Sequence, residues 1–349
     1  MKKIVLVALS LITIIASSTA QDQHFTQFYA SPTTLNPALT GAFEGKFRLS
    51  MIYRDQWRSI LPNPLATFSA AADFRFSFSP TKRIKDAVGF GVVFYNDRPS
   101  DYFSINQVYL SGAFHKSLNS ENNQFLTVGA QVGLSQWNTN YSQLSFNDQF
   151  NGTNGYSDPT REDLPENNFA FGDYNVGLNY SFSPDNGVGF FIGAALSHVL
   201  EPAVSFFYDE SDPGKYPNDN LKRKYTGHVG LVIPVGETVQ VLPRALYYSQ
   251  GAHQSMNAGS NFRFLVNDIN GTALHVGGWL RLAADDINPL HTDAVVVMTG
   301  IEYQNFLIGF SYDANLEDFS NTKRGQGAFE ISIAYLGEYD NETIVCPKF

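Results

Sequence analysis

The sequence predicts an all-β fold, a transmembrane antiparallel up-and-down β-barrel of about 14 strands, on three observations. An export-type N-terminus is followed by no apolar run approaching the ~20 residues that a membrane helix needs. Strand-like segments of about ten to fifteen residues, long enough to cross a bilayer when tilted, alternate in polarity. The links between them run short and long in turn, as tight turns at one rim and long loops at the other require. Composition agrees, with 29 Phe, 18 Tyr and 28 Gly but only 16% charged residues. A formal charge of -10 argues against nucleic-acid binding.

The elements follow in order. Lys2 and Lys3 precede the apolar stretch Ile4 to Ala16, and Ser18-Thr19-Ala20 supplies small residues. Residues 1–20 therefore read as a signal peptide cleaved between Ala20 and Gln21. No Cys stands at the cleavage site, so no lipoprotein anchor is expected. Segment 21–45, broken by Pro32, Pro37 and Gly41, is no strand; it is either a plug in the lumen or a periplasmic arm. The barrel occupies 46–337. Its strands are expected at 46–56, 65–78, 86–95, 102–116, 123–137, 168–182, 187–199, 222–234, 237–248, 253–265, 271–282, 292–303, 305–314 and 326–337. The tail 338–349 contains Pro347 and the single cysteine, Cys346, which excludes an intramolecular disulfide.

Alternation is clear in several strands. Phe68, Ala70, Ala72, Phe74, Phe76 and Phe78 oppose Asp73, Arg75 and Ser77; Met256, Ala258, Phe262 and Phe264 oppose Asn257, Asn261 and Arg263. Segments 237–248 and 292–303 alternate poorly. Trp57, Phe78, Tyr95, Tyr102 and Tyr248 stand near strand ends and suit interfacial girdles. The links 79–85, 117–122, 183–186, 235–236, 266–270 and Gln304 form the short set. The long set includes 138–167, 200–221, 283–291 and 315–325. Long loops face outward in outer-membrane barrels, which places both termini in the periplasm and surrounds the strands with outer-membrane lipid. Closure leaves no backbone amide unpaired in that lipid.

Little points to chemistry. Seven histidines are scattered, with none at metal-ligand spacing, and no catalytic motif or phosphate-binding loop occurs. No catalytic residue, metal or cofactor is expected; His115 and His275 read as hydrogen-bonded lumen residues. Asp158, Arg161, Glu162, Asp163 and Glu166 lie in one long link; Asp209, Glu210, Asp212 and Tyr216 lie in another. Without an ordered calcium-ligand pattern, these are candidate partner-binding loops. Tyr53-Arg54-Asp55-Gln56-Trp57 is unusually polar and aromatic for a strand end. It is either a rim cluster, with Trp57 in the girdle and Arg54 and Gln56 in the lumen, or a polar network that locks segment 21–45 inside. In the last strand Phe329, Ile331, Ile333 and Tyr335 share one face and form a candidate assembly signal.

Phe25-Thr26-Gln27-Phe28-Tyr29, Leu35-Asn36-Pro37-Ala38 with Gly41, and Tyr53-Arg54-Asp55-Gln56-Trp57 resemble the N-terminal signatures of the PorP/SprF family. Tyr95-Asn96-Asp97, Gly133-Leu134-Ser135-Gln136, Leu242-Pro243, Gly309-Phe310-Ser311-Tyr312-Asp313 and Phe329-Glu330-Ile331 fall in that family's order. One departure is Gly327-Ala328-Phe329-Glu330, where relatives commonly carry Ser-His before the Glu. The resemblance implies a non-enzymatic outer-membrane component of type IX secretion. Its implied partners are a secreted surface adhesin, as in gliding motility, or that adhesin's C-terminal domain, and other components of the secretion machinery. A transport channel for small or hydrophobic solutes is the alternative that the architecture alone allows.

Overall fold

The computed structural model describes residues 25–59, 61–79, 84–153, 155–206, 219–268, 271–284, 290–316 and 327–337. Ala20 and Gln21, the loop residues Asp209, Glu210, Asp212 and Tyr216, and the tail with Cys346 lie outside them.

The described residues form fourteen strands: β1 Phe47–Gln56, β2 Leu65–Phe78, β3 Asp86–Arg98, β4 Phe103–Ser117, β5 Gln124–Thr139, β6 Asn168–Phe182, β7 Gly189–Ser197, β8 Lys224–Val235, β9 Val239–Gln250, β10 His253–Asn267, β11 Thr272–Ala284, β12 His291–Tyr303, β13 Phe306–Asn315 and β14 Gly327–Gly337. Each pairs antiparallel with its neighbours in sequence, and β14 returns to β1, closing the barrel. At that seam Phe47 faces Gly337 and Gln56 faces Ala328. A closed ladder leaves no edge, the condition for strands in lipid.

Side-chain parity is inverted relative to a soluble protein. On β2, Phe74, Phe76 and Phe78 point outward and are exposed, while Asp73 and Arg75 point inward and are buried. Leu110, Leu134, Ile192 and Val297 continue the outer apolar surface on other strands. The rim contrast is carried mainly by the links 140–167, 198–223 and 316–326. Two links on the long side, 99–102 and 251–252, are shorter than 79–85 on the short side.

Residues 25–46 do not leave the barrel. They run through its lumen as a 3-10 turn at Phe28–Ala30, a single helical turn α1 (Pro32–Leu35) and a second 3-10 turn at Pro37–Leu39. Local chemistry sets these turns. Pro32 and Pro37 occupy first helical positions, where a missing N–H costs nothing. The Asn36 side chain accepts the Ala38 N–H at 2.9 Å as an N-cap. Gly41 takes a φ of 72°, open to glycine at no steric cost.

The segment supplies the core that a hollow barrel lacks. Phe25, Phe28, Tyr29 and Ala30 pack with Ile52, Leu246, Tyr248, Trp279, Val296 and Met298 of the inner wall. Tyr29 stacks on Trp279 at 5.8 Å, and Phe28 meets the same indole edge-on at 5.6 Å. This explains the poor alternation of β9 and β12: Leu246, Tyr248, Val296 and Met298 are apolar inward positions because an apolar body lies against them. It also corrects the expected girdle. Tyr248 is 3% exposed and faces inward, and Tyr95 packs edge-on against Phe25 at 6.0 Å. Phe78 and Tyr102 remain exposed.

Candidate functional site: a latched lumen beneath a looped rim

The lumenal segment is held at three stations. The first joins Thr26 and Gln27 to β1, β11, β13 and β14. Glu330, fully buried, accepts the Thr26 and Gln27 backbone N–H groups at 2.8 Å each and the Arg54 Nη1–H at 2.5 Å. Asp313 accepts the Thr26 hydroxyl at 2.7 Å, Arg54 Nη1–H at 2.9 Å and Arg281 Nη1–H at 2.7 Å. Arg281 also pairs with Asp293. The Gln27 amide donates to Ser311 Oγ at 3.0 Å and accepts from Ser332 Oγ at 2.8 Å. Charged groups are tolerable here because each is paired and hydrogen-bonded.

The second station fixes Asn36 against β6, β7 and β8. Its side-chain amide donates to Leu178 O at 3.0 Å and lies 3.0 Å from His228 Nε2. The wall is bare here. A Cβ on Gly177 would overlap Asn36 Oδ1, and one on Gly129 would overlap the Pro37–Ala38 peptide. Both glycines are therefore sites of close backbone approach.

The third station sits on β1 to β4. Arg48 grips Asp73 with two parallel hydrogen bonds, 3.0 and 2.7 Å, and donates to Leu39 O at 3.1 Å. Asp73 accepts the Gly41 N–H at 2.7 Å. Arg75 donates to Gly41 O at 2.7 Å, and His115 Nε2–H to Thr40 O at 2.9 Å. Burial pushes the Tyr29 phenol up, with the Arg244 charge opposing, so the hydroxyl stays a neutral donor.

The segment separates two cavities. One, about 380 Å³, lies toward the long loops beside Phe28, Leu35, Tyr95, Trp137 and Tyr248. The other, about 310 Å³, opens among the short turns beside Tyr29, Leu242, Arg244 and Met298.

At the long-loop rim, five aromatic rings cluster, four from strands and one from a large loop. Phe206, from the link 198–223, lies 4.7 Å from Phe169 and 6.2 Å from Phe103. Trp137 packs on Phe103, Phe169 and Phe171 at 5.5 to 5.9 Å. Above them, link 140–167 is shaped by 3-10 turns at Tyr141–Gln143 and Asn147–Gln149 and a bridge between Phe150 and Tyr156. Asp158, Arg161, Glu162, Asp163 and Glu166 are all exposed on it. Among the described residues, no cluster of three or more His, Cys, Asp or Glu is placed to hold a metal ion.

The pentapeptide 53–57 is divided by the strand. Arg54 enters the lumenal network, and Gln56 accepts a 3.5 Å hydrogen bond from it. Tyr53 and Asp55 occupy the other face, joined at 3.5 Å, with Asp55 held by Arg58. Trp57 follows the strand at a φ of 63°, and its N–H bonds Gly327 O at 3.0 Å. Phe329, Ile331, Ile333 and Tyr335 lie on the outer face of β14, with Tyr335 4.8 Å from Phe306. Sequence reasoning missed Thr26, Gln27, Arg48, Asp73, Arg281, Asp313 and Glu330 as partners. Inward charges on several strands were the available signal.

Residues 17–335 match the family described as type IX secretion system membrane protein PorP/SprF. No curated protein matches the chain. Among solved structures, the CymD monoaromatic hydrocarbon channel is similar over 90% of this chain and 94% of its own, at 9% identity and a TM-score of 0.50. The deltaS2 mutant of the TodX monoaromatic hydrocarbon channel is similar over 89% and 94%, at 12% identity and 0.45. A Pseudomonas aeruginosa FadL homologue is similar over 88% and 94%, at 11% identity and 0.45. At such identities the likeness to CymD concerns the barrel fold alone.

Proposed function

We propose, from the premise that the chain belongs to the PorP/SprF family of type IX secretion system membrane proteins, that it acts by docking a secreted partner rather than by conduction or catalysis. The observation that carries this reading is the latched segment. Its backbone and side chains bond to inner-wall groups around the lumen, so clearing a pore would strip Glu330 and Asp73 of buried partners. Each buried donor or acceptor left without its partner costs about 1–3 kcal/mol, more for a charged group, which disfavours an open channel at rest.

The docking surface in this reading is the long-loop rim. Phe206 anchors the link 198–223 to the rim strands, and the link 140–167 presents Asp158, Arg161, Glu162, Asp163 and Glu166 to solvent. The rim faces outward and both termini are periplasmic, after cleavage between Ala20 and Gln21. The exported partner is a surface adhesin of the gliding-motility type, and the short turns meet other components of the machinery. Deleting the gene should strand one or a few large adhesins inside the cell or release them to the medium; unchanged adhesin localisation refutes the reading.

The two cavities favour a second reading, a channel for small or hydrophobic solutes whose segment moves aside. Steady conductance of the wild-type protein in planar bilayers, or loss of solute uptake on deletion, would select it.

A further inference from the structure

We propose that the cavity at the short-turn end is a carboxylate-binding pocket, with Arg244 and Tyr29 as its donors and Leu242, Met298 and Leu307 as the wall for an apolar body. The inference goes beyond docking at the opposite rim and rests on unpaired donors. Arg244 is 6% exposed, yet it makes one hydrogen bond, a long one of 3.4 Å to Asn261. Its guanidinium lies over the Tyr29 ring at 4.7 Å. Stacking satisfies the face of a guanidinium and leaves its in-plane N–H groups unused. Nε is buried without a partner, and so is the Tyr29 hydroxyl. Both residues line the cavity.

The other buried arginines among the described residues differ. Arg48, Arg54 and Arg281 hold carboxylates; Arg75 shares the unpartnered nitrogen and the stacked ring but makes a short 2.7 Å bond to Gly41 O and does not line this cavity. A buried cation without a counter-charge is costly. Of the carboxylates that line the cavity, Glu302 is taken by Arg263 and His275, and Asp185 is exposed. One guanidinium fork and one phenol suit a monoanion with two oxygens. A dianion would meet Glu302 across the cavity. About 310 Å³ admits a short carbon chain on Leu242, Met298 and Leu307. Two sources share this chemistry, a free organic acid and the C-terminal carboxylate of a peptide.

The test uses the purified full-length barrel in neutral detergent, titrated with hexanoate, with hexan-1-ol, and with a leucine-terminated tripeptide carrying a free or an amidated C-terminus. Calorimetry and the emission of Trp279, which stacks on Tyr29 at 5.8 Å, report binding. Saturable binding of hexanoate or the free-acid tripeptide, with none of the alcohol or the amide, supports the proposal. The tighter of the two binders identifies the source. Arg244→Met should abolish binding. Tyr29→Phe, which keeps the ring beneath the guanidinium, should weaken it about tenfold. The proposal is overturned if neither acid binds saturably, if the alcohol or the amide binds equally well, or if both variants bind as wild type does.

Discussion

Replacing Glu330 by alanine should unlatch the lumenal segment while leaving the barrel assembled. The Glu330 main chain pairs with Arg54 and Ser311 in the ladders whatever its side chain, so the cost falls on the segment. The variant orphans the Thr26 and Gln27 N–H groups, each worth about 1–3 kcal/mol when buried and unsatisfied. It also breaks the buried ion pair with Arg54, but both partners stand on the wall, so that cost falls on the docked and released states alike. Asp313 still holds both Arg54 and Thr26. The two orphaned N–H groups together make a net docking loss of about 4 kcal/mol, close to a thousandfold in the ratio of docked to released segment. Planar-bilayer recordings should show intermittent conductance that wild type lacks, and protease should cut near residue 30 in intact detergent-solubilised barrels. Glu330→Gln, which keeps one acceptor oxygen, should fall between. A heat-modifiable, fully assembled Glu330→Ala barrel with wild-type silence and protease resistance would falsify the claim that this network holds the segment.

Other positions test the same picture by different means. Gly177→Ala places a methyl group where Asn36 Oδ1 now sits, and Asn36 has other wall contacts to lose; the variant should assemble yet raise conductance, whereas silence equal to wild type counts against tight seating. Phe206→Ala removes an edge-to-face contact at 4.7 Å, worth about 0.5–1.5 kcal/mol beyond its area; protease should then cut the link 198–223 several-fold faster on intact cells, and an unchanged rate would mean that Phe206 does not anchor that link to β4 and β6. Tyr335→Ala removes the ring against Phe306 at 4.8 Å and should lower the assembled fraction more than deletion of Phe349; the opposite ranking on heat-modifiability gels would move the assembly signal to the tail. Labelling of intact cells at 183–186 but not at 140–167 would invert the topology and sink the docking proposal.

The barrel was legible because a bilayer imposes a simple code. Two different solvents on two faces enforce a period of two, and β2 and β6 begin and end where the alternation does. The code weakens where a third body covers a face. Leu242, Leu246 and Tyr248 on β9, and Val296 and Met298 on β12, break the contrast because they pack beneath the lumenal segment. Strand-end position alone suggested a girdle for Tyr95 and Tyr248, but parity turns both inward. The segment had no period of its own to read. Its shape comes from Pro32, Pro37, Asn36 and Gly41, which mark turns but not where the turns are placed. Asp313 and Glu330 were visible as inward charges; that both converge on Thr26 required the closed ring.

That convergence ties plugging to closure. Arg54 belongs to β1, Glu330 to β14 and Asp313 to β13, so the first latch straddles the seam where the ends of the strand series meet. The hydrogen bonds from Thr26 and Gln27 to Glu330 span more than 300 residues of sequence. They cannot form until β14 has come alongside β1, because before that the carboxylate and the arginine stand on separate ends of an open sheet. The stations on β1 to β4 and on β6 to β8 make no such demand. A segment bound there alone leaves Phe25 and Phe28 without the Ile52 and Trp279 walls brought together by closure. Docking at the seam is thus conditional on a complete barrel, and a docked segment in turn adds hydrogen bonds from Thr26 and Gln27 to the wall's ion network across the pairing that has no covalent connection through a turn. A variant that cannot close should therefore leave residues 25–46 accessible to protease even when the stations on β1 to β8 are intact.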